Sequence, residues 1–150
     1  MQSYQTYKGR LHYYQLGSID HHTVYEGETC GILLATKLIL NELNIDSVII
    51  YADNRAVITA STLMKPSPGH HLLDAFHKAV GVIKQRHPGI DIQIKWFPAH
   101  QGIIGNEAAD SAAAKATAHG SSPTNKLPKL LTKLLPQSKS AAKRAFHKKI

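Results

Sequence analysis

The 150 residues include a single cysteine, Cys30, so no internal disulfide can form. That fits a reducing, intracellular compartment. No apolar run approaches the roughly 18 residues that a membrane-spanning helix needs, so no membrane association is expected. Met1 to Arg10 is polar and aromatic, without the apolar stretch of a secretory signal. Acid is missing altogether from residues 119–150. That stretch carries Lys126, Lys129, Lys133, Lys139, Lys143, Arg144, Lys148 and Lys149, which account for the whole net charge of +8. Residues 1–118 hold ten Lys/Arg against ten Asp/Glu and are formally neutral. A tail of one charge sign attracts polyanions, nucleic acid above all, or is simply a solvated extension.

The length suits one domain with a real core. Hydrophobic patterning predicts a strand over residues 7–17, ending at Gly17, and a turn at Ser18 to His21. A second strand, His22 to Tyr25, would close an antiparallel hairpin. Residues 27–43 repeat apolar side chains with helical period, and Asn44 ends that helix. Val48 to Tyr51 reads as a buried central strand. Helices follow at 54–63 and 70–86, separated by Pro66-Ser67-Pro68-Gly69. Ile90, Ile92, Ile94 and Trp96 alternate as in a strand, and Pro98 to Gly105 is a glycine-bearing loop. Residues 106–118 are alanine-rich and helical in pattern. The order β-β-α-β-α-α-β-α predicts an α/β fold, a mixed sheet flanked by helices. Gly120 to Pro123 marks a linker. The tail 119–150 is expected to be partly disordered, with one short apolar stretch from Leu127 to Leu135 able to dock as a turn or two of helix.

Three acids occupy places where charge is uncommon. Glu28 opens an apolar helix, Asp53 follows an apolar strand, and Asp110 lies near the start of the last helix. Carboxylates at strand ends face the crevice where α/β sheets bind ligands. Such groups are seldom buried unless paired or bound to metal, and Mg²⁺ takes a few carboxylate oxygens together with water and phosphate. Each acid also has an ordinary structural role open to it. Glu28 can complement the helix dipole, Asp53 can cap a helix, and Asp110 can face solvent. The ten histidines include the adjacent pairs His21-His22 and His70-His71, a spacing unlike that of structural zinc sites.

The fifteen residues Trp96-Phe97-Pro98-Ala99-His100-Gln101-Gly102-Ile103-Ile104-Gly105-Asn106-Glu107-Ala108-Ala109-Asp110 resemble the C-terminal motif of type 1 ribonucleases H, W-x-P-[GA]-H-x-G-x-x-G-N-x-x-A-D. Thr23-Val24-Tyr25-Glu26-Gly27-Glu28 resembles the family's glutamate-bearing helix, and Tyr51-Ala52-Asp53-Asn54 its strand-end aspartate. The likeness spans residues 7–118 and is closest to the domains attached to fungal non-LTR retrotransposon reverse transcriptases, which implies a polymerase domain in the parent element. It implies hydrolysis of the RNA strand of an RNA/DNA hybrid by two-metal catalysis with Mg²⁺ or Mn²⁺. Glu28, Asp53 and Asp110 would be metal ligands, and His100 would move protons or release product. Asn54, Arg55 and Asn106 would be candidates for substrate contact.

The sequence departs from the family in three places. No D-G-S-like strand with the first catalytic aspartate is present; Asp20 lies in a turn and does not replace it. The fold is therefore expected to begin at the family's second strand, with impaired or absent nuclease activity. Val24 and Tyr25 stand where cellular members carry amide side chains, and no basic protrusion lies between residues 64 and 90. The alternatives are a catalytically dead module that binds nucleic acid and a fragment that needs a partner segment to fold.

Overall fold

The computed structural model describes residues 2–7, 10–18, 20–63, 70–98 and 120–148. Its described part is a mixed α/β arrangement of four helices, an antiparallel hairpin and a small parallel two-stranded sheet packed against helices.

The hairpin joins β1 (Gln2–Tyr7) to β2 (Arg10–Gln15), pairing Tyr7 with Arg10 and Gln2 with Gln15. Only Lys8 and Gly9 separate the two strands, the commonest hairpin spacing. The single strand expected over 7–17 is thus the second strand of an earlier hairpin.

The strand expected at His22 to Tyr25 is instead the start of helix α1 (Val24–Leu40). The physical reason is a capping box. Glu26 N donates to Thr23 Oγ1 at 3.2 Å, and Thr23 N donates to Glu26 Oε2 at 2.6 Å. Two otherwise unpaired backbone donors are satisfied at once, which outweighs the strand preference of Val24 and Tyr25. The helix ends earlier than its apolar pattern suggested, with Asn41 as its C-cap, and Asn44 takes a positive φ of 54° in the turn that follows.

Helix α1 is the centre of the molecule. Cys30, Ile32, Leu33, Leu34, Leu38 and Ile39 are buried on several of its sides, as expected for a helix enclosed by neighbours. It packs against both hairpin strands, against β3 (Ser47–Ala52), and against helices α2 (Arg55–Thr62) and α3 (His71–Arg86).

Strand β3 pairs in parallel with β4 (Asp91–Trp96), from Ser47 opposite Asp91 to Ala52 opposite Trp96. The α2–α3 connection returns the chain to the start of the sheet, as parallel pairing requires. The strand expected to be buried throughout is covered on one face. Ile50 and Ala52 are buried, whereas Ile49 and Tyr51 are exposed, Tyr51 by 55%. Alternation of this kind follows when only one face of a strand has a packing partner. The hairpin and the parallel pair are separate two-stranded sheets, and among the described residues no strand joins them.

Residues 120–148 form two 3-10 turns, Thr124–Lys126 and Lys129–Thr132, and helix α4 (Lys139–Lys148). Leu127, Leu131 and Leu135 enter the same apolar cluster as α1 and α3. Their spacing of four residues places all three on the inner side, while Leu134 is left exposed. Polar contacts fasten the segment as well. Tyr14 Oη donates to Lys133 O at 3.3 Å, Gln15 N to Ser121 Oγ at 2.8 Å, and Ser138 N to His21 O at 2.8 Å. The basic segment is therefore docked through its leucines, not merely appended.

Candidate carboxylate site

Glu28 and Asp53 lie on different elements, 25 positions apart, and their carboxyl groups share a hydrogen bond. The competing structural roles have gone to neighbours. Glu26, not Glu28, completes the cap of α1. Asn54, not Asp53, caps α2: its Oδ1 accepts from Ala56 N at 2.9 Å and Val57 N at 3.2 Å. Both Glu28 and Asp53 are thereby left for each other.

Glu28 is half-buried beside an exposed Asp53. Burial, the hydrogen bond to Asp53 and the charge of Asp53, in that order, raise the Glu28 carboxyl from 4.5 to about 8. At neutral pH Glu28 is accordingly mostly protonated and donates to Asp53. Two adjacent negative charges, partly shielded from water, would repel, and the proton on Glu28 relieves that repulsion. A divalent cation removes the same repulsion, and an all-oxygen donor set suits Mg²⁺ or Mn²⁺. The pair thus fits such an ion as a partial ligand set.

Backbone and indole hydrogen bonds set the position of Asp53. Phe97 N donates to Ala52 O at 3.0 Å, extending the parallel ladder to the end of β3. One residue on, Trp96 Nε1 donates to Asp53 O at 3.2 Å. Tyr51 meets Phe97 edge-on with centroids 5.7 Å apart. The Arg55 guanidinium lies over the Trp96 ring, 4.2 Å from its centroid. In the sequence Trp96 reads as the end of an alternating strand and as part of a motif. Its support of Asp53 depends on the strand register, which no local signal specifies.

His100, Asn106 and Asp110 lie outside the described residues. Among the described residues, no group of three or more His, Cys, Asp and Glu side chains gathers to hold a metal ion. Asp20 is exposed in the turn after the hairpin, where its amide donates to Ser18 Oγ at 3.1 Å. Comparison with protein-family models, curated proteins and solved structures finds no match to this chain.

Proposed function

We propose that this chain is a ribonuclease H-type domain of retrotransposon origin, directed at RNA/DNA hybrids. Glu28, Asp53 and Asp110 would hold Mg²⁺ or Mn²⁺, with His100 assisting proton movement. The observation that carries this reading is the meeting of Glu28 and Asp53 at the end of β3, with the Glu28 carboxyl raised to about 8. Two acids brought together at some electrostatic cost, beside a strand end, are the kind of arrangement that a cation makes favourable. When bound, such an ion supplies an activated water and offsets charge on the phosphodiester.

No segment of these 150 residues matches the resembled family's first catalytic aspartate, so weak or absent cleavage is expected of them, while cation binding at Glu28 and Asp53 should persist.

The test is Mn²⁺ titration followed by water-proton relaxation and by proton release near pH 7.5. Wild-type protein should bind Mn²⁺ and release close to one proton from Glu28, and Asp53→Asn should weaken binding about tenfold or more. Equal Mn²⁺ affinity in wild type and Asp53→Asn would reject the assignment. So would hybrid cleavage that Asp53→Asn leaves unchanged.

A second reading has its own support. The docked basic segment presents Lys126, Lys129, Lys133, Lys139, Lys143 and Lys148 at fixed positions on the molecule. A catalytically dead module that binds nucleic acid through this surface predicts hybrid binding whose salt dependence drops when these lysines are neutralised, without any response to Mn²⁺.

A further inference from the structure

Arg55 begins α2, two residues beyond Asp53, yet among the described residues it makes no ion pair with that carboxylate. Its guanidinium lies instead over Trp96, whose indole N–H holds the Asp53 carbonyl. Both side chains are open to solvent, Trp96 by 44%. A counter-ion for the acid pair would be expected to reach Asp53. A guanidinium held on an aromatic face loses little further freedom on binding, and its planar donors match phosphate oxygens. Among the described residues those donors have no acceptor. Lys95, on the exposed face of β4, adds a second cation to the same end of the sheet.

We propose that Arg55, braced on Trp96, binds a backbone phosphate of the nucleic-acid strand that reaches the Glu28–Asp53 pair. The inference rests on the nucleic-acid reading above and adds to it a phosphate contact and a second task for Trp96. The indole positions Asp53 through its N–H and supports Arg55 with its ring face. Substrate phosphate and carboxyl pair are thereby registered by one side chain. The Asn54 cap already engages the first amides of α2, so the contact is made by the guanidinium and not by the helix end.

Trp96 is the only tryptophan in the sequence, so its emission reports on this site alone. The full chain is titrated with a fluorescein-labelled RNA/DNA hybrid in EDTA, at several salt concentrations, following label anisotropy and Trp96 emission together. Hybrid binding should change Trp96 emission. Arg55→Ala should weaken hybrid affinity about tenfold and lower the salt slope by about one. Arg55→Lys should retain the salt slope and recover only part of the affinity, because it keeps the charge and loses the fork. Inorganic phosphate at matched phosphate concentration should leave emission unchanged.

Failure of the hybrid to bind at low salt would overturn the proposal. So would binding that leaves emission unchanged and is equally tight in Arg55→Ala. A response to inorganic phosphate equal to that of the hybrid would replace it with a simple anion site. Because the titration omits metal, its failure leaves the Mn²⁺ result on Asp53→Asn standing, and the reverse also holds.

Discussion

Replacing Glu28 by glutamine tests the carboxyl pair through stability, without a substrate. In the metal-free folded protein Glu28 keeps its proton up to about pH 8, whereas in the unfolded chain it loses the proton near its ordinary value of 4.5. Between those limits the folded state binds more protons, so the free energy of unfolding falls as pH rises. The loss is complete once pH exceeds the folded value. Each pH unit inside the window is worth at most about 1.4 kcal/mol. Glu28 is only half-buried and Asp53 is exposed, so solvent screening reduces the effect, and about 1–2 kcal/mol between pH 6 and 8.5 is expected. Glutamine cannot ionise, and its amide still donates to Asp53. Glu28→Gln should therefore match wild type near pH 5 and exceed it by about 1–2 kcal/mol above pH 8. Urea unfolding followed by circular dichroism in EDTA, at unit steps from pH 5 to 9, measures the difference. Other titrating groups are common to both proteins and cancel. Parallel wild-type and Glu28→Gln profiles across that range would show that the two carboxyls do not interact as described.

Leu131 is 1% exposed within the cluster shared with α1 and α3, so Leu131→Ala should cost about 2–5 kcal/mol in urea unfolding. A change below 0.5 kcal/mol, typical of about any solvated surface site, would mean that the basic segment does not dock as described. Asn54→Ala removes the cap of α2 and should cost about 0.5–2 kcal/mol. Its hybrid affinity, measured well below the unfolding transition, should stay near wild type; a tenfold loss there would return Asn54 to the substrate contacts.

Much of the helical architecture is legible in the sequence. The periodicity of Ile32, Leu33 and Leu38 gives α1, and Leu72, Phe76 and Ile83 give α3, because a helix with a buried side must repeat its apolar residues. The alternation of Ile92 and Ile94 gives β4 in the same way. The start of α1 was also written locally, in the Thr23-x-x-Glu26 pair. The β-branched and aromatic character of Val24 and Tyr25 obscures it, since propensity and capping compete there and capping prevails. A pattern of scattered tyrosines does not reveal that pairing begins at Gln2.

Sequence alone fixed where acids, aromatics and cations stand along the chain, because backbone preference and apolar period are local properties. Tertiary structure decided which of them meet. The protonated Glu28 beside Asp53 requires the end of β3 to lie against α1, and the Trp96 bond to Asp53 requires the parallel register with β4. The docking of Leu127, Leu131 and Leu135 was open for the same reason. A short apolar stretch carries no record of its partner, and a carboxyl acquires its proton affinity only from the burial and charge that folding places around it.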